Sequence, residues 1–173
     1  MKFTLILLAG FSFSTLMSQT FPSIAVENIH SKEVNLPKDL MGKKSILFLA
    51  FTSNAESMLE DWYEPIYITF LDKSGFNAFV YDLNIKVVLF FTGANKSVAK
   101  SVRRKITEDI DPEMENLLLF FEGDCSAEME ILGVNCKSDT YAVVLDEFGN
   151  VLTIETADYS EEKLERIAEL VEL

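Results

Sequence analysis

Three short apolar runs constrain this chain more than any other feature. They are Ile46-Leu47-Phe48-Leu49-Ala50-Phe51, the stretch Ile85 to Phe91, and Leu117-Leu118-Leu119-Phe120-Phe121. Each is too short for a buried helix and lacks polar alternation, so each reads as a strand covered on both faces. Between them the spacing turns helical. Met58, Leu59, Trp62, Ile66, Phe70 and Leu71 follow the first run, and Val98, Val102 and Ile106 mark residues 96–107 after the second. Helices joining successive buried strands imply parallel crossovers.

The flanks complete the order. Ile24–Ile29 alternates and Val34–Leu36 resumes an extended pattern, which predicts a hairpin through His30-Ser31-Lys32. Pro37–Met41 reads as a helical turn stopped by Gly42. Ser53 and Glu56 have capping-box spacing for the first core helix, and Pro65 should kink it or end its first part. Lys73-Ser74-Gly75 breaks the pattern, so residues 72–84 read as an insertion. Gly123-Asp124 opens a short helix that ends at Gly133. Tyr141–Leu145 and Val151–Ile154 flank a turn at Asp146–Asn150 and form a closing hairpin. A last helix begins near Ser160, with Leu164, Ile167, Ala168 and Val171 as its apolar stripe.

Residues 1–18 have the build of a secretory leader: Lys2, then a mostly apolar run to Met17, with Ser18 suited to precede the cut. The run is short for a bilayer span, so cleavage before Gln19 is expected rather than retention as an anchor. That leaves one domain, 19–173, exported to a periplasm or beyond, with no later membrane-length stretch. Loss of Lys2 takes the formal charge from −13 to −14. Nucleic acid and anionic lipid are poor partners for such a surface. In an exported chain Cys125 and Cys136 stand open to three fates: a small-loop disulfide, two free buried thiols, or a redox-active pair.

The order of elements, with Phe21-Pro22, Leu40-Met41-Gly42-Lys43, Leu49-Ala50-Phe51-Thr52 and Val144 through Val151, resembles the thioredoxin-like superfamily, in particular exported TlpA-type and AhpC/TSA-type redoxins. The resemblance implies an α/β, three-layer sandwich: a central mixed sheet, helices on both faces and an N-terminal β-hairpin. The second half, through Phe121-Glu122-Gly123-Asp124, Leu132-Gly133, Asn135, Tyr141, Asp146 and Gly149, is also similar to the mitochondrial ATP-synthase assembly-factor family, which uses the fold as a chaperone.

Two departures bear on activity. Redoxins place a cysteine at the start of the first core helix, where the dipole and free amides lower its pKa. The matching loop here is Thr52-Ser53-Asn54-Ala55-Glu56, which holds no thiol. The fold also sets a cis-proline before the closing hairpin, where this chain has Ser138-Asp139-Thr140 and no proline after Pro112. The expectation is a non-catalytic binding or chaperone-like module with an unidentified protein partner and no cofactor. The alternative is a thiol-disulfide oxidoreductase with a relocated Cys125/Cys136 pair. In that reading the start of a helix lowers the pKa of Cys125, while Asp124 opposes it.

Other chemistry is thin. His30 is the only histidine, which rules out a catalytic triad and a histidine-rich metal site. The acids at Asp109, Asp111, Glu113 and Glu115, and at Asp124, Glu128 and Glu130, do not match a calcium loop, so no metal is expected. From Leu83 to Thr107 there is no acid. Lys96, Lys100, Arg103 and Arg104 therefore form a basic docking patch or a solvated helix face. The free amides at the start of the first core helix are an anion or peptide site unless Ser53 and Glu56 cap them.

Overall fold

The computed structural model describes residues 19–51, 55–72, 80–136 and 140–172. The expected leader, residues 52–54 of the degenerate loop, 138–139, and 73–79 of the expected insertion lie outside the described residues, as do the side chains of 55, 56, 58 and 94.

Seven strands form one sheet: β1 (Ile24–Asn28), β2 (Glu33–Leu36), β3 (Ser45–Ala50), β4 (Asn84–Phe91), β5 (Leu118–Glu122), β6 (Thr140–Leu145) and β7 (Val151–Thr156). Their spatial order is β2-β1-β5-β4-β3-β6-β7. The three apolar runs become the parallel core β3-β4-β5. The two hairpins extend it with antiparallel strands, β1 against β5 and β6 against β3. All six residues of β3 are buried, as its lack of alternation requires.

Among the described residues, four helices cover the sheet: α1 (Ala55–Ile66), α2 (Ala99–Asp109), α3 (Ser126–Leu132) and α4 (Glu161–Val171). Met129 and Leu132 of α3 pack with Leu47, Leu49, Val88 and Val143 on one face. Trp62 and Ile66 of α1 and Ile167 and Val171 of α4 pack with Ile46, Phe48 and Val144 on the other. On that same face α2 sets Ala99, Val102 and Ile106 against Leu89, Phe91 and Phe120. The result is the expected three-layer α/β sandwich with helices on both faces and an N-terminal hairpin.

Local chemistry explains the boundaries. Pro65 lies one residue before the end of α1, and the chain continues as a π-helical turn over Tyr67–Leu71. A proline ring removes one amide donor and crowds the preceding turn, which ends the regular part as expected. A 3-10 segment, Gly93–Val98, precedes α2, so Lys96 falls outside the α-helix proper. Helix α2 also runs two residues past the expected end, to Asp109. Ser160 caps α4 by accepting from the Lys163 amide at 3.2 Å. Gly133, with φ +69°, ends α3, and the Val134 amide reaches back to the Met129 carbonyl.

The β6–β7 turn is organised by one carboxylate. Asp146 accepts from the amides of Phe148 at 2.9 Å and Asn150 at 2.7 Å, and from the Asn150 side chain at 2.8 Å. Partial burial pushes its pKa up, but these hydrogen bonds outweigh that and hold it below the usual carboxylate range. Gly149 in the same turn has φ +85°, and a Cβ there would lie 2.7 Å from the Pro37 ring. Gly149→Ala should therefore destabilise the protein by about 1–3 kcal/mol, the cost of a non-glycine residue held in the left-handed region and pressed on a ring. Urea unfolding of the two proteins checks this, and an unchanged midpoint would refute it.

Candidate functional site

Strand β4 stands in the middle of the sheet, yet Val87 and Leu89 are only partly buried. A central strand should be covered on both faces. The incomplete cover arises because α1 sits over β3 while α2 sits toward β5, and the sheet between them is left as an apolar groove of about 880 Å³. Phe48, Ile85, Val87, Leu89 and Phe91 form its floor. Leu59, Trp62, Tyr63 and Ile66 of α1 make one wall, and Val98, Val102 and Ile106 make the other. Met114 and Leu117, from the connection into β5, also line it. Among the described residues, charged side chains enter only as the exposed residues Glu60, Lys105 and Asp109.

Trp62 stiffens the α1 wall. Its side chain is 1 % exposed. The indole N–H donates to the Ala157 carbonyl at 2.8 Å, and the ring packs on Phe48 and edge-on to Tyr159. A volume of several hundred Å³ with apolar walls and few polar groups has the build of a ligand site. No local sequence pattern marks it. Every residue of its floor reads as core, and only the lateral spacing of α1 and α2 opens it.

The residues singled out from sequence fall elsewhere. Cys125 occupies the position before α3 on the opposite face of the sheet, wholly buried, and Cys136 lies just beyond that helix, partly exposed. Both are free thiols, joined by a hydrogen bond. Burial pushes the Cys125 thiol up to about 12, helped by Cys136 and by Glu128 and Asp124. The expectation that a helix start would favour the thiolate fails here: α3 is short, and burial and neighbouring acids outweigh its dipole. At neutral pH Cys125 is therefore held as the neutral thiol.

The expected basic patch is divided. Arg103 turns inward: it pairs with Glu27 at 2.6 Å, donates to the Asn28 carbonyl and lies over the Phe120 ring at 4.9 Å. It ties α2 to β1 and is not available for docking. Arg104 faces Glu108 at 3.9 Å, one turn away, and Lys96 and Lys100 remain exposed. His30 is exposed in its turn, 3.4 Å from Glu115. Of the degenerate loop, Ala55 and Glu56 begin α1, and Thr52, Ser53 and Asn54 lie outside the described residues. Beside it, Thr140 is buried with its hydroxyl unpartnered among the described residues.

The scan of protein families returned no matching model, and no curated protein matches. Solved structures do. The exposed lipoprotein thioredoxin of Streptococcus pneumoniae strain TIGR4 superposes with a TM-score of 0.60 at 13% identity, over 86% of this chain and 99% of that one. BsSco, a member of the Sco family of cytochrome c oxidase assembly proteins, gives 0.56 at 13%, over 90% and 92%. A peroxiredoxin-like protein from Aquifex aeolicus gives 0.55 at 12%, over 89% and 86%. The chain has the thioredoxin-like fold. At such identities the likeness speaks for the fold alone, and the chemistry rests on this chain's own residues.

Two outcomes follow. Thr140→Val should raise stability by roughly 1 kcal/mol, because it removes a buried hydroxyl that lacks a partner; a lowered urea midpoint would contradict this. In reduced protein, Cys125 should resist thiol reagents until unfolding. Its folded pKa lies above the unfolded value of about 8.5, so the stability it confers is complete below that value and falls as pH rises toward 12. The stability gap between wild type and Cys125→Ala should therefore shrink above about pH 9 in reductant. Rapid native labelling of Cys125 at neutral pH would overturn this account.

Proposed function

We propose that this chain is an exported thioredoxin-fold protein without thiol redox activity, acting as a binding or chaperone-like module through the groove between α1 and α2. The apolar groove over β4 is the observation that carries this reading. The leader-like residues 1–18 support export. The absence of cysteine at 52–56 and the buried, protonated state of Cys125 argue against turnover.

Where the chain folds in an oxidising compartment, Cys125 and Cys136 join as a structural bridge before burial protects them; in reduced protein they are the free thiols described above. The two thiols then pass two electrons and two protons to an external disulfide, which leaves as two thiols. A loop of this size contributes about 3 kcal/mol. The oxidoreductase alternative needs an attacking thiolate, and Cys125 is a poor one.

The test pairs two assays on the mature chain. Insulin should not be reduced in the presence of dithiothreitol beyond the rate of dithiothreitol alone. The uncharged apolar dye Nile red should bind the native protein at one saturable site. Val87→Phe, which fills the floor, and Val98→Glu, which charges the exposed end of the α2 wall, should each weaken it at least tenfold, with circular dichroism unchanged. Insulin reduction at an ordinary thioredoxin rate, or wild-type protein that binds no dye, would sink the proposal.

A further inference from the structure

We infer that the groove receives the hydrocarbon chain of a free single-chain amphiphile with a zwitterionic or uncharged head group, an inference that rests on the binding-module reading above. Three observations select this occupant over a polypeptide.

The first is size. From Ile85 to Phe91 the floor advances six residues along β4, about 20 Å at a strand's rise of ~3.3 Å per residue. Spread over that length, a volume of about 880 Å³ has a mean cross-section of roughly 40–45 Å². A helix with its side chains is about 10–12 Å across, so a groove of this section would take only one side of it and leave the rest in water, whereas it can enclose a single hydrocarbon chain.

The second is hydrogen bonding. An extended peptide would fit the width, but its amides and carbonyls need partners. Strand β4 has none to offer, since it pairs with β3 on one edge and β5 on the other. The α1 and α2 walls are helix surface, and in the turns that complete the lining the amides of Asn95, Met114 and Leu117 donate locally to the carbonyls of Thr92, Asp111 and Met114. A peptide backbone in this groove would be left dry and unpaired, at a cost a hydrocarbon chain does not incur.

The third is charge. The charged lining residues are exposed and of both signs: Glu60 on α1, Lys105 and Asp109 on α2. No ion pair joins them among the described residues. Such a rim matches a head group carrying both charges or none. A bare anion would meet two carboxylates to one ammonium, on a chain with a formal charge of −13.

Trp62 is the only tryptophan and lines the α1 wall, so its emission reports occupancy. The experiment titrates saturated lysophosphatidylcholines of increasing chain length, each below its micelle concentration, into the mature protein preloaded with Nile red. Displacement should strengthen roughly fourfold per added methylene, then level off once the chain outgrows a floor about 20 Å long. In Val87→Phe, which no longer holds the dye, the change in Trp62 emission that the lipid causes in the wild type should be lost, without altering the circular dichroism. A fatty acid of equal chain length should bind more weakly at the same ionic strength. Dye that binds but is not displaced, or is displaced without dependence on chain length, overturns the inference and leaves the binding-module reading standing. Displacement by an amphipathic helical peptide but not by the lipid assigns the groove to a polypeptide. Tighter binding of the fatty acid, or co-flotation with phosphatidylcholine vesicles without binding of the monomer, likewise overturns it. Absence of Nile red binding in the wild type is the separate failure of the underlying reading.

Discussion

The pairing of β3 with β4 on one edge and with β6 on the other is the constraint on which the remaining structure depends. Register runs unbroken from Ser45 to Ala50 against both neighbours. Helices cover this strand on both faces, and it exposes no side chain. Because its partner β4 is parallel, the chain must leave the sheet, cross over as a helix and return. That requirement places α1 over one face. The antiparallel β6 needs no such crossover from β7, so the closing hairpin is tight and Asp146 can hold it with local hydrogen bonds.

The same constraint makes the groove. Three helices on one face must share a sheet surface broad enough for seven strands. Trp62 anchors α1 toward the end of β7 through the Ala157 carbonyl, and Arg103 draws α2 toward β1 through Glu27 and Asn28. The two anchors pull in opposite directions across the sheet, and the floor between them stays partly open. Arg103 thus does structural duty that opens a site, in place of the docking role that a cationic helix face suggests in isolation.

The thiols illustrate how burial overrides local signals. A cysteine before a helix beside a glycine looks activated. With Met129, Leu132 and Val134 packed in the same cluster, Cys125 is held as a neutral thiol on the face opposite the groove. The sequence places no cysteine in the loop before α1, and its two thiols lie across the sheet from that loop.

Much of the architecture was legible in the chain. The period of the apolar residues, two in the hairpins, 3.6 in the helices and none in β3 and β5, determined element type, order and sheet polarity, because side-chain direction follows backbone repeat. Turn and cap chemistry placed Gly133, Gly149 and Ser160. The fates of Arg103 and Cys125, and the groove itself, were decided only in three dimensions. Each depends on the lateral distance between elements that no local pattern encodes: α2 against β1, α3 against the sheet, α1 against α2. Periodicity tells which face of an element is buried. It carries no information on how closely the next element packs beside it, and that spacing separates a filled core from a binding site.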